Sequence, residues 1–179
     1  LENADYQKVA SIANTEFNRT QDTGALLQQL NALYRSERWF DFEKVVDGLT
    51  ESILEESSST ATHIRELAIK VFMKIRKLDR AQKLLTLAKK MGDDSFELDM
   101  CDASIDAMEA RYSDARDKLE IINRKNPMST IVLKRLVLVC EQDRDYEAAA
   151  GYLRAVLKIN RDDEKLLRKR QQYESLGMW

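Results

Sequence analysis

The sequence predicts an all-α fold: antiparallel helix pairs stacked as a solenoid of about ten helices. Three observations predict it. Apolar residues follow helical spacing almost throughout. Turn-formers are scarce, with five Gly and one Pro in 179 residues against 34% charged residues, a balance that favours long helices with solvated outer faces. One pattern of small and apolar residues also returns every thirty-four residues.

The spacing places helices over 4–18, 23–36, 40–55, 61–76, 78–91, 95–109, 112–125, 129–142, 145–159 and 163–176. In the second, Leu26, Leu27, Leu30, Leu33 and Tyr34 form one amphipathic stripe. Ile64, Leu67, Ala68, Val71, Phe72 and Ile75 do the same in the fourth, as do Val132, Leu133, Leu136, Val137 and Cys140 in the eighth. The links are short and polar (RSE, RKLD, GDD, EARYS, KNPMS, EQDRD, NRDD), so neighbouring helices run antiparallel. Glu55–Thr62, EESSSTAT, reads as a longer loop in which Thr60 or Thr62 caps the next helix.

The repeat is carried by four columns. Leu78, Tyr112 and Tyr146 coincide; then Ala81, Ala115 and Ala149; then Leu85, Leu119 and Leu153; then Ala88, Ile122 and Val156. The small residue lets the second helix of a pair approach the first, and a bulkier one there would overpack by ~1–3 kcal/mol. The Leu four residues on shares that face and fills the gap between hairpins. The Tyr lays its ring over the turn with its hydroxyl toward water. Pro127 follows a helix that has ended.

These residues resemble the tetratricopeptide repeat, a helix–turn–helix unit of thirty-four residues, and the resemblance implies a right-handed solenoid. The best copy is 96–129, with Tyr112, Ala115, Leu119, Ile122 and Pro127; copies at 62–95 and 130–163 keep Ala and Leu but have Asp93 and Arg161 in place of the Pro. The family's first-helix Trp and Leu-Gly pair are missing from all three. Upstream, RWFDFEKVVDGLTESIL reads as a poorer fourth copy, with Phe42, Val45 and Leu49 thirty-six residues before Leu78, Ala81 and Leu85. The resulting organisation is one domain over 1–179, with divergent N-terminal helices in 1–61, three clear repeats in 62–163 and a capping helix in 164–179. In the cap, Leu166, Leu167, Tyr173 and Leu176 are expected to cover the last hairpin, while Lys165, Arg168, Lys169 and Arg170 stay in water.

Catalytic, cofactor and metal sites are not expected. The single His63 lies beside a helix start, and no GxGxxG, GxxxxGKS, GxSxG or HExxH occurs. Asp93–Asp94 and Asp162–Asp163 read as dipole-favouring residues at helix starts, Trp39 and Trp179 as packing or interface residues, and Cys101 and Cys140 as buried thiols of a reducing compartment. With 29 basic against 31 acidic residues, the chain lacks the basic field that nucleic acid requires. No apolar run reaches the ~18–20 residues of a membrane span, and no signal-peptide core is present. The chain opens on Leu1 rather than Met, as a piece of a longer protein would.

The resemblance implies a concave wall made by the first helix of each pair, lined here by His63, Glu66, Lys70 and Lys74, then Glu97, Met100, Ser104 and Met108, then Lys134, Arg135, Leu138 and Glu141. That mixture suits an extended peptide or a partner helix. The family's clamp for chaperone tails needs Lys, Asn and Arg on successive first helices. Lys134 and Arg135 fit it, but Cys101 and Ser104 stand where Asn is needed and Glu66 brings the wrong charge, so a tail receptor ranks second. An RNA-binding helical repeat ranks third, since the period and the near-neutral charge oppose it. The segment from SIDAMEARYSDA to GYLRAVL, residues 104–157, is also similar to the repeat region of the second-subunit family of the ER membrane protein complex, through Ala107, Met108, Arg111, Tyr112, Asp114, Ala115, Pro127, Lys134 and Arg135. That resemblance implies a scaffold on the cytosolic face of the endoplasmic reticulum, held to the membrane by its partners. The expected function is a non-enzymatic, cytoplasmic scaffold that binds other subunits or peptide segments within a larger assembly.

Overall fold

The computed structural model describes residues 3–179, with side chains from residue 5 onward. Leu1 and Glu2, the start of the expected 1–61 segment, lie outside the described residues. The chain is all-α: α1 Asn3–Thr20, α2 Thr23–Arg35, α3 Trp39–Asp47, α4 Glu51–Leu54, α5 Ser59–Lys74, α6 Leu78–Lys90, α7 Phe96–Met108, α8 Tyr112–Lys125, α9 Thr130–Gln142, α10 Tyr146–Ile159 and α11 Glu164–Ser175. It divides into two compact units, Leu1–Leu98 and Asp99–Trp179.

A single turn recurs four times. Glu37, Arg76, Ala110 and Arg144 all take the left-handed conformation, at φ 56°, 62°, 61° and 63°. The next residue donates its N–H back five positions each time: Arg38 to Leu33 O at 3.0 Å, Lys77 to Phe72 O at 2.8 Å, Arg111 to Asp106 O at 2.9 Å and Asp145 to Cys140 O at 2.9 Å. That is the Schellman closure, which satisfies carbonyls the helix end leaves open. The donor residue then sits near φ −85°, ψ 70° at Arg111 and Asp145 alike, and the second helix begins immediately. None of the four left-handed residues is glycine, so the usual sequence signal for this turn is absent.

The turns reset the register of the first hairpin. The last three are thirty-four residues apart, but Glu37 precedes Arg76 by thirty-nine rather than thirty-six. Phe42 and Val46 therefore occupy the places of Ala81 and Leu85. Phe42 is fully buried and Val46 is 5% exposed, whereas Val45 and Leu49 are only half-buried. The expected helix 40–55 is in fact two, α3 and α4, separated at Gly48–Thr50. Gly is costly inside a helix, and Gly48 is the C-cap at which α3 ends.

Two local expectations are corrected. Ser58 caps α5, its Oγ accepting from Ala61 N at 3.1 Å, while Thr60 and Thr62 lie inside the helix. Leu176 is 58% exposed because α11 ends at Ser175; Leu166 and Tyr173 alone of the expected four cap residues are buried.

In the first unit α2 packs against α1, α3 and α5, and α5 pairs with α6. The core gathers Leu26, Leu30, Phe42, Ile64, Ile69, Phe72 and Leu85, all at 0–1% exposure. In the second unit α9 packs on α8 and α10, and α10 on α11, around Leu136, Cys140, Leu153 and Val156. The repeat columns behave by position. Ala81, Ala115, Ala149, Leu85, Leu119, Leu153, Ala88, Ile122 and Val156 are all buried. Leu78 and Tyr112 are half-buried, and Tyr146 is exposed. Pro127 lies in the turn after α8, whose helix ends at Lys125.

Candidate protein-binding face

On α5, His63, Glu66 and Lys70 fall three and four residues apart and so share one face. With Leu67, and with Leu27 and Asn31 one turn apart on α2, they enclose an open groove of about 380 Å³. His63 is exposed; Glu66 is held, its Oε1 accepting from Ser95 Oγ at 2.6 Å. Lys74 lies outside this groove. Its ammonium is 3.6 Å from Glu37 and 4.6 Å from the Trp39 ring centroid, and Trp39 packs edge-on against Tyr34. Trp39 is thus a packing residue of the first turn. Glu97 is exposed in the first turn of α7.

In the second unit the expected wall residues separate into two groups. Lys134 donates to Asp163 Oδ2 at 2.7 Å, and Asp163 also caps α11 through Lys165 N and Leu166 N. The Lys134 hydrogen bond, helped by those backbone donors, holds the Asp163 carboxyl below the usual carboxylate range. Glu141 accepts from Lys169 Nζ and from Tyr173 OH at 2.8 Å. Both α9 side chains therefore fasten α11 to α9, and Lys169 is half-buried rather than in water. Met100 and Ser104 are half-buried, and the Ser104 hydroxyl is taken by Met100 O at 2.7 Å.

What remains open is Arg135, Met108 and Leu138, the last two 39% and 46% exposed. Ile131, which the sequence reading did not include, is 60% exposed and precedes Arg135 by four residues and Leu138 by seven. These three make one stripe on α9, opposite the buried Val132, Leu133, Leu136, Val137 and Cys140. The signal was available in the sequence, since α9 is apolar on both faces where its neighbours are not.

Two polar clusters were also missed. Arg65, with 0% side-chain exposure, donates to both Asp93 oxygens at 2.6 and 2.9 Å and to Leu54 O and Glu56 O at 2.6 and 3.0 Å. Asp93 is accordingly not a helix-start residue but the partner of a buried cation. On α7, Asp102 and Asp106 are 7% and 2% exposed, and Lys118 of α8 reaches each at 2.5 Å. Arg111 also pairs with Asp106. Burial opposes the Lys118 charge, but the hydrogen bonds to Asp102 and Asp106 outweigh it and raise the ammonium above its ordinary value.

The electrostatics of these groups run one way. The hydrogen bond from Arg65 lowers Asp93, and those from Tyr152 and Arg116 lower Glu120. Burial pushes the Cys140 thiol up to about 11, and burial with the Glu120 carboxylate pushes the Tyr152 phenol up to about 12. Each displacement carries a group away from pH 7, whereas acid–base catalysis works best with a pKa near the operating pH. Cys101 and Cys140 are both buried, and neither is in a disulfide. No described helix is long and apolar enough to cross a membrane.

No protein-family model matches the chain, and no curated protein or solved structure matches it.

Proposed function

We propose that this chain is a non-catalytic helical-repeat scaffold of the tetratricopeptide kind, which binds other proteins through the exposed faces of its first helices. The carrying observation is the Ile131–Arg135–Leu138 stripe. Two large apolar side chains stand open around a cation on a helix whose other charged residues, Lys134 and Glu141, are committed to α11. Exposed apolar residues grouped in this way, with an arginine among them, suit a protein interface.

The test is affinity purification of the tagged chain from its native cells with quantitative mass spectrometry, comparing wild type with Ile131→Glu/Leu138→Glu. Both positions are exposed, so the variant should melt with the wild type. The proposal expects a defined set of partner subunits to fall at least about tenfold with the variant. Unchanged recovery in a folded variant contradicts it. In its narrowest form the proposal puts the chain at the cytosolic face of the endoplasmic reticulum, and the lost partners are then subunits of a membrane-protein insertase. If a chaperone tail is the ligand instead, Arg135→Glu alone abolishes binding. Binding of single-stranded RNA with a steep salt dependence would favour the RNA reading.

A further inference from the structure

The second helices of successive pairs are bridged by polar contacts wherever they meet within a unit. Between α3 and α6, Glu43 pairs with Lys77 and Arg80, and Asp47 with Arg80. Between α8 and α10, Arg116 donates to Asp145 Oδ2 at 2.7 Å and Tyr152 OH to Glu120 Oε1 at 2.6 Å. Helices α1 and α3 both pack on α2 and line one crevice over it. There, among the described residues, no hydrogen bond or ion pair joins α1 to α3. The crevice stays open, with a volume of about 490 Å³, inside the ~300–1,000 Å³ typical of ligand clefts.

Its floor is unusual. Gln29 of α2 lines the crevice at 6% exposure. The Gln29 amide donates to Asn14 Oδ1 at 3.2 Å, and its own Oε1 is buried with no partner. Turning the amide over exchanges the two atoms but leaves one of them unpaired. A buried polar atom without a partner costs about 1–3 kcal/mol, so the site has a standing demand for one hydrogen-bonding group. Asn14 and Asn18 stand one turn apart on the α1 wall, and Phe17, Val45 and Leu49 supply apolar surface. The break after Asp47 is what brings Gly48 and Leu49 to the rim.

We propose that the α1–α3 crevice binds an extended peptide segment, whose backbone pairs with the Gln29 amide and whose apolar side chain packs between Phe17, Val45 and Leu49. The floor group is a neutral amide, which takes an uncharged donor or acceptor; of the charged lining residues Arg38 pairs with Asp41, and Lys44 stands on the α3 wall. A peptide backbone supplies both donor and acceptor, with an apolar side chain attached. One helical turn between Asn14 and Asn18, ~5.4 Å, is close to the ~6.8 Å between alternate residues of an extended chain, so the two amides can meet successive outward-facing peptide groups. This site is separate from the first-helix face and does not depend on the function proposed for it.

The experiment is selection of a displayed library of twelve-residue peptides on the full chain, followed by fluorescence anisotropy with the enriched peptide. Binding is expected to weaken about tenfold or more with Gln29→Met, and by a similar factor with Leu49→Glu at the rim. It should weaken likewise when a single backbone nitrogen of the peptide is methylated, and stay unchanged with Lys70→Glu in the α2–α5 groove. Leu49→Glu keeps the test decisive should Gln29→Met fail to fold. The proposal is overturned if no peptide is enriched. It is equally overturned if the peptide responds to Lys70→Glu but not to the crevice variants, if no backbone methylation affects it, or if a crystal structure with the peptide shows only an ordered water on Gln29.

Discussion

Replacing Arg65 with leucine is expected to destabilise the protein by about 3–5 kcal/mol, because it leaves the Asp93 carboxylate in a buried site without its cation. The arginine is the most enclosed charge among the described residues, with 0% side-chain exposure against 7% for Asp93. It joins three pieces of chain. Its guanidinium reaches Leu54 O at the end of α4, Glu56 O just beyond it, and Asp93 at the α6–α7 turn, where Thr62 Oγ1 also donates to Asp93 Oδ1 at 2.7 Å. Removing it strands two carbonyls and a carboxylate together. Asp93→Asn is expected to fall short of that loss, since the amide oxygen still accepts one bond. The effect depends on pH with a definite sign. The hydrogen bond from Arg65 lowers the Asp93 pKa, with Thr62 assisting and burial opposing. The folded value therefore lies below the unfolded ~3.9, so the contribution is complete at neutral pH and is lost as pH falls through the folded pKa. Denaturant unfolding of wild type and Arg65→Leu should show a stability gap that is widest near pH 7 and narrows as the pH is taken below about 4. A gap independent of pH over that range contradicts the ion pair.

Phe42→Ala is expected to cost a further large amount, about 3–5 kcal/mol, as the loss of a fully buried aromatic side chain. Phe42 is at 0% exposure. Its value as a prediction lies in the register. A thirty-six-residue offset makes Phe42 the counterpart of the half-buried Leu78 and gives Leu49 the role of Leu85. The thirty-nine-residue offset gives Phe42 the place of Ala81 and Val46 that of Leu85. Leu49→Ala should then cost much less, on the order of 1 kcal/mol, because Leu49 sits half-buried at the rim of the α1–α3 crevice. Equal losses at Phe42 and Leu49 would restore the shorter offset.

Much of the fold was legible because it is written in local periodicity. The buried Ala81, Leu85 and Ala88 and their counterparts at 115, 119 and 122 and at 149, 153 and 156 share the spacing of one face of a packed helix. The break at Gly48–Thr50 was not legible, since Val45, Val46 and Leu49 continue a plausible helical stripe through it. The turns were not legible either: Glu37, Arg76, Ala110 and Arg144 adopt a conformation ordinarily signalled by glycine. The proposed binding face was legible only as a set of helix faces. Periodicity places Lys134, Arg135, Leu138 and Glu141 on one side of α9, but it does not say that Asp163, Lys169 and Tyr173 return from α11 to occupy two of them. Arg65 and Gln29 were invisible for the same reason. Their partners lie in other segments, so nothing near them in sequence marks them as buried.

The central claim is that one hairpin unit is used four times, with the first copy set thirty-nine residues before the second. The most direct measurement is the backbone φ of the turn residues in solution, from three-bond HN–Hα couplings and carbon shifts. The structure requires a positive φ near 60° at Glu37, Arg76, Ala110 and Arg144 together, as it has at 56°, 62°, 61° and 63°. A negative φ at Glu37, with the left-handed residue found instead at Phe40, thirty-six positions before Arg76, would contradict it.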